Sequence, residues 1–248
     1  MSEELTASQT LIGHLTELRF RLIRSLIGIF LGFVLCYNFT TEIFNVIRAP
    51  IVPYLPAGGL VFTGIMDKFM AHLKIALFGG ILLACPWWLY QVWKFVAPGL
   101  YQKEKRVALG FIVSGTVLFV AGVCFAYFIV FPMAFKFLMA YGGDIDKPMI
   151  TIDQYLSFFL VTGSMFGFSF ELPLILVTLG LLGVIDQKFL KTKRRYAMVI
   201  LSAAAAIMTP PDPMSMIIML VPMVLLYEVS VFFVGFFERR QARANGAA

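Results

Sequence analysis

Residues Val107 to Phe135 read VALGFIVSGTVLFVAGVCFAYFIVFPMAF, 29 positions without one acidic or basic side chain. A helix that crosses a bilayer needs about 20 mainly apolar residues, and this run supplies them. Comparable runs lie on either side. Ser25 to Thr41, Ile75 to Trp93 and Tyr196 to Pro211 carry no charge; Gln154 to Ile185 carries only Glu171, and Pro213 to Phe237 only Glu228. We read six spans, near 22–42, 74–97, 108–135, 155–182, 196–210 and 214–236. Over the whole 248 residues, 60% are apolar and 14% charged. A soluble domain needs roughly 25% charged residues to cover its surface, so composition excludes a water-soluble enzyme, a disordered chain and a disulfide-framed fold. The alternating short segments of an outer-membrane barrel are also missing. The expected fold class is all-α, a polytopic membrane protein with six transmembrane helices.

The basic residues set the expected orientation. Fifteen of the 20 fall at the N-terminal end, in the second and fourth loops and at the C-terminal end, among them Arg19, Lys94, Lys105, Arg195 and Arg240. Lys and Arg mark cytoplasmic loops, so both termini are expected in the cytoplasm. The clusters hold topology and meet anionic lipid, so the net charge of +6 requires no nucleic acid partner. No cleavable signal peptide is expected, because the first apolar run begins late and is long enough to span. The spans form one domain, 1–240, with a short cytoplasmic tail at 241–248. Within it, 8–21 is expected as an amphipathic cytoplasmic helix, with Leu11, Leu15, Leu18 and Leu22 at helical spacing and Glu17 four residues before Arg21.

The loop 43–73 is expected as an outer cap. Pro50, Pro53, Pro56 and Gly58–Gly59 make its first part irregular, and the stretch from Leu60 has the apolar character of a short surface helix. Prolines 86, 132, 173 and 222 can kink or end helices. Gly28 with Gly32, and Gly163 with Gly167, have the spacing that lets helices approach closely. Trp87, Trp88, Tyr90 and Trp93 read as interface anchors. Span five is short, about 20 Å from Tyr196 to Met208, against a hydrocarbon core of about 30 Å. A tight outer hairpin carrying Asp212 joins it to span six.

Glu171 and Glu228 interrupt apolar spans. A carboxylate at that depth is expected to face the bundle interior or a wet groove, and a functional role is its default reading. By composition alone Glu17 and Glu104, each beside basic residues, are solvated or salt-bridged surface groups. His14 and His72 lie on opposite sides in this topology. Cys36, Cys85 and Cys124 sit in separate spans without CxxC spacing and read as small buried residues. Neither a metal site nor a nucleotide loop is expected, nor a bound cofactor or enzymatic activity.

A resemblance covers nearly the whole chain. Its pieces are His14-Leu15-Thr16-Glu17-Leu18-Arg19, Ala49-Pro50, Tyr90-Gln91-Val92-Trp93-Lys94-Phe95-Val96-Ala97-Pro98-Gly99-Leu100-Tyr101, Glu104-Lys105-Arg106, Ala126-Tyr127-Phe128 with Phe131-Pro132, Ser169-Phe170-Glu171-Leu172-Pro173, Lys193-Arg194-Arg195-Tyr196, Thr209-Pro210-Pro211-Asp212 and Glu228. In this order and spacing they resemble the TatC family, the polytopic subunit of the twin-arginine protein translocase. The resemblance implies a concave, glove-like arrangement of six helices with a periplasmic cap and short fifth and sixth helices. It implies a receptor in the bacterial cytoplasmic (inner) membrane for precursors whose signal peptides carry paired arginines. With TatA-like and TatB-like single-span partners and further TatC copies, such a receptor moves folded proteins at the expense of the proton-motive force. It maps signal recognition to Glu17 and Glu104 and the intramembrane glutamate to Glu171, with Arg19, Phe95, Asp212 and Glu228 as supporting positions. A guanidinium fork pairs with a carboxylate more specifically than lysine does, which suits two carboxylates to the reading of two arginines. The competing functions are an ion-coupled small-solute transporter, a membrane-embedded enzyme and a structural scaffold. The first predicts repeated broken helices and the second a polar cluster at one depth, and the sequence has neither.

Overall fold

A computed structural model of the chain describes residues 2–55, 59–96, 105–140, 149–181, 183–208 and 213–246. The described residues are almost entirely helical, with one isolated bridge between Val61 and Thr151. The helices are α1 (Ser2–Tyr37), α2 (Thr40–Arg48), α3 (Asp67–Leu83), α4 (Cys85–Val96), α5 (Lys105–Phe125), α6 (Phe131–Ala140), α7 (Ile152–Phe170), α8 (Leu172–Leu181), α9 (Gln187–Thr192), α10 (Arg194–Met208) and α11 (Pro213–Gly246).

Four helical stretches are long and apolar enough to cross a bilayer: Leu15–Tyr37, Leu109–Ala140, Ile152–Gly180 and Met216–Arg240. A fifth span is formed if α3 and α4, bent by 56°, are taken together. With its 15 residues α10 reaches only about 22 Å and falls short of the sixth. The chain is therefore an all-α membrane protein.

Prolines make three of the breaks. A proline lacks the N–H that would bond four residues back, and its ring crowds that carbonyl. Pro86 follows the α3–α4 bend, Pro173 follows the α7–α8 junction at Glu171, and Pro132 follows a π-helical segment at Ala126–Val130. Pro222 lies within α11 without ending it.

The main contacts run α1 to α3 and α4, α4 to α5, α5 to α7, α8 to α11, and α11 to α10. Two of them are close because glycines remove the Cβ. A methyl on Gly32 would stand 2.8 Å from the Gly80 carbonyl oxygen, and one on Gly80 would stand 2.6 Å from the Phe33 nitrogen. Gly28 abuts Trp87, Gly122 abuts the Phe166 carbonyl, and Gly167 abuts the Phe119 ring. Gly163 is different: a methyl there would only touch Phe78 at 3.4 Å, so the 163/167 pair is a close-approach site at one position.

The largest core lies under the cap and between α3, α6 and α7. Phe131 stacks on Phe159 at 4.3 Å, Phe135 lies 5.8 Å from Tyr155, and Ile47 and Ile51 close the cluster from the cap side. Two hydroxyls fasten the cap to it: Tyr155 donates to the Ile47 carbonyl at 2.5 Å and Tyr127 to the Val46 carbonyl at 2.8 Å. Lys74 of α3 donates to Asp153 (2.5 Å) and Ser157 (3.0 Å) of α7, and the Thr40 hydroxyl meets His72 at 3.0 Å.

Several expectations change. The helix of the cap is its first part, not its second. Ile43, Phe44 and Ile47 form one apolar side, while Glu42 near the start and Arg48 at the end complement the helix dipole. From Leu60 the chain is extended instead, with Val61 exchanging backbone bonds with Ile150 and Ile152. The helix of span one ends at Tyr37, not 42, and the helix that leads into span two starts ahead of it, at Asp67. Trp88 and Trp93 pack inward against neighbouring rings. Trp88 packs edge-on to Phe119 at 5.4 Å, and Trp93 is buried against Phe111 at 4.7 Å. Trp87 is exposed, its indole N–H donating to the Arg24 carbonyl at 2.9 Å. Of the cysteines, Cys85 is buried, Cys36 half-buried and Cys124 exposed on the outside of its helix. The sixth span is not short: α11 has 34 residues. The hairpin at 209–212 lies outside the described residues.

Candidate functional site

Glu171 sits in the seam between α7 and α8. Its own N–H bonds the Phe168 carbonyl at 3.1 Å, a tight three-residue turn, and the Ile175 N–H restarts the helix on its carbonyl at 2.9 Å. The local cause is Pro173, which cannot continue the ladder. The side chain turns inward and the residue is 4% exposed. Gly115 of α5 makes room for it: a methyl there would stand 3.0 Å from Leu89, 3.1 Å from Leu174 and 3.3 Å from the Glu171 Oε2. The buried Cys85, Leu89 and Phe119 belong to a small cluster on the same helices. Glu171 Oε1 has no hydrogen-bond partner among the described residues, and the same holds for Gln91 Oε1 and Thr162 Oγ1. A buried polar atom without a partner costs roughly 1–3 kcal/mol, so such atoms are retained for a reason outside the resting packing.

Near the N-terminal end of the first span, the Glu17 carboxylate is already held by a guanidinium. Arg21, one turn on, donates to Glu17 Oε1 through Nε at 3.0 Å and also through Nη2. Arg19 is exposed beside them. Phe95 is half-buried in the last turn of α4, next to Lys94, whose ammonium lies 4.5 Å above the Tyr90 ring. Glu104 and Asp212 lie outside the described residues. Glu228 does not meet Glu171; Arg194 donates to its Oε2 at 2.7 Å and thereby ties α10 to α11. Among the described residues, no group of three or more His, Cys, Asp or Glu gathers as a metal site.

The sequence reading missed the Arg194–Glu228 pair and the two further partnerless polar groups. Gln91 and Thr162 carry a weak signal, being polar residues inside runs without charge. Arg194 carries none, since its neighbours Lys193 and Arg195 are indistinguishable from it by type.

The family described as "Sec-independent protein translocase protein (TatC)" matches residues 13–222. The chain belongs to the TatC family. That match takes in Glu17, Glu104, Glu171 and Asp212 and ends before Glu228. Among TatC relatives, that of Carboxydothermus hydrogenoformans is 42% identical over 233 residues, 94% of this chain and 95% of its own length. That of Desulforapulum autotrophicum is 39% identical over 229 residues, 92% and 85%. The Escherichia coli (strain K12) protein is 36% identical over 231 residues, 93% and 90%. A crystal structure described as the twin arginine translocase receptor TatC superposes with a TM-score of 0.81 at 37% identity, covering 89% of this chain and 97% of that one. The breaks at Pro86, Pro132 and Pro173 therefore lie within a fold that a solved TatC shares.

Proposed function

We propose that this TatC-family chain is the receptor subunit of a twin-arginine translocase. It binds signal peptides with paired arginines and acts with TatA-like and TatB-like single-span partners and further copies of itself. Together they move folded proteins across the bacterial cytoplasmic membrane at the expense of the proton-motive force. In this reading the chain makes six spans with both termini in the cytoplasm, α10 being the fifth, and residues 43–73 face the periplasm as a cap. The role is transport and not catalysis.

The observation that carries the proposal is the Glu17 carboxylate with a guanidinium already on it. An i,i+4 helical ion pair is worth about 0.3–0.5 kcal/mol, and the part-buried Arg21 puts this one at the upper end of that range. A signal arginine therefore displaces Arg21 at small cost and gains a second carboxylate, Glu104, for its neighbour. Arg19 and Phe95 flank the two acids in sequence and complete the receiving surface. Glu171 serves the later step, offering Oε1 to a polar group on a partner helix once α5 and α8 part.

Site-specific crosslinkers beside Glu17 and Glu104 test the receptor reading. They should capture a signal peptide with Arg-Arg and lose it with Lys-Lys or in Glu17→Gln and Glu104→Gln proteins. Equal capture in all cases sinks the proposal.

A further inference from the structure

The start of α10 carries more positive charge than its surroundings neutralise. Arg194 and Arg195 open α10, where the helix carries a partial positive charge and no acidic residue lies in the first turn, and Lys193 caps the end of α9 directly before them. Helix N-termini favour acidic residues, so the arrangement is inverted. Arg194 is neutralised by Glu228. The other nearby acids are occupied elsewhere: Asp186 caps α9 by accepting the Phe189 N–H at 2.5 Å, and Glu238 accepts the Gln187 N–H at 2.8 Å. Lys193 and Arg195 have no carboxylate partner among the described residues.

These two charges are nonetheless held together. The Lys193 ammonium lies 5.2 Å and the Arg195 guanidinium 4.9 Å from the centre of the same Tyr196 ring, so the charges are within about 10 Å of each other. That is no more than about one Debye length, so their repulsion is incompletely screened. Arg195 also donates to the Tyr196 hydroxyl at 3.1 Å. Two positive charges thus share one aromatic ring, and neither has a carboxylate partner among the described residues.

Below it, one side of α10 is apolar and uncovered. Tyr196, Val199, Ile200 and Ile207 recur at helical spacing with 50%, 67%, 67% and 82% of their surface exposed, while α9 and α11 take the other side. Two cations beside one tyrosine ring, followed along the same helix by an exposed apolar lane, match one ligand. We infer that Lys193, Arg195 and Tyr196 hold the phosphate headgroup of an anionic phospholipid, with an acyl chain along Val199, Ile200 and Ile207. The assignment of this lipid to the cytoplasmic leaflet rests on the orientation proposed above; the site itself does not.

The test uses the purified full chain and native mass spectrometry, with phosphatidylglycerol and phosphatidylethanolamine offered together. The wild type should retain the anionic lipid preferentially. Lys193→Gln or Arg195→Gln should lower that preference about fivefold, and the double variant roughly 30-fold, the effect expected of one and two cations at an anionic surface. Charge-preserving Lys193→Arg with Arg195→Lys should keep it, which separates lost binding from lost folding. Unchanged selectivity in the double glutamine variant overturns the inference. So does an equal loss in Lys188→Gln with Lys191→Gln, which would make the effect diffuse charge. Loss of partner co-purification with lipid selectivity intact would make this face a protein interface and equally overturn it. None of these outcomes depends on signal-peptide binding.

Discussion

Glu171 is costly where it stands: buried, beside Leu89 and Leu174, with one oxygen unpartnered. Replacing such a group with an apolar one of similar volume removes the desolvation cost. Glu171→Leu should therefore raise thermal stability in detergent by about 1–3 kcal/mol while lowering export in cells. A variant that loses stability and export together would instead mark the carboxylate as part of the packing. A second residue-scale case lies in the cap. Asp67 begins α3 and accepts the Gly64 N–H at 2.7 Å and the Thr63 N–H at 3.0 Å. Those backbone bonds, Gly64 first, hold its carboxyl below the ordinary aspartate range. A depressed folded value stabilises above the unfolded one, near pH 4, and the contribution fades as pH falls through the folded value. Protection of the Thr63 and Gly64 amides, measured against their intrinsic exchange rates, should fall on acidification through that window, and in Asp67→Ala it should be low at every pH. Of these two residues the sequence marked only Glu171, because an acid in an uncharged run is conspicuous and an acid in a loop is not.

The helices are built with two kinds of joint. Glycines at 32 and 80 bring α1 and α3 into backbone contact, Gly122 does the same for α5 and α7, and Gly167 makes room for the Phe119 ring. At a backbone contact nothing can rotate aside, so Gly80→Val should cost about 1–3 kcal/mol, the usual effect of overpacking. Gly163→Ala, meeting only a Phe78 ring edge at 3.4 Å, should leave the melting temperature nearly unchanged. Comparing the two melting temperatures checks this. Much of this level was legible: prolines 86, 132 and 173 gave the breaks, and Gly28, Gly32 and Gly167 lie at close contacts. What was not legible depends on direction. Trp88 and Trp93 have the composition of an interface belt, but the α3–α4 bend turns them onto α5, and no local pattern encodes a 56° turn. The cap was misread for a related reason. Pro50 and Pro53 lie beyond the end of α2, where they close a helix that the apolar spacing of Ile43 and Ile47 had already specified.

At the scale of the whole molecule one buried cluster runs from Ile47 and Ile51 through Phe78, Phe131 and Phe159 to Met219 and Val234, and α1 stands outside it. Only 6% of the α1 span window is buried, against 33–39% in the three other long spans. Charge-free runs reveal such a membrane protein easily. They do not reveal the order in which the spans touch, since every face is apolar whether it meets lipid or helix. The shortness of α10 is a property of this scale, because a bilayer meets all the spans at once. If α10 crosses as proposed, a chain with one span of about 22 Å beside longer ones would fit thin bilayers better than thick ones. Export reconstituted in vesicles of increasing acyl-chain length should decline steadily, and insertion of one helical turn into α10 should shift the optimum toward thicker membranes. Insensitivity to thickness in both proteins would show that the short helix does not couple to the lipid.

The same short helix has an electrical consequence. A voltage across a membrane drops over the thickness of its insulating layer. If α10 spans as proposed and draws that layer from about 30 Å toward about 22 Å, the field strength would rise by roughly a third with no change in the voltage itself. Any charged group passing beside α10 would feel a steeper gradient there than at the other spans. In the proposed six-span reading the edge at α10 would thus also be the place where the energised membrane pulls hardest.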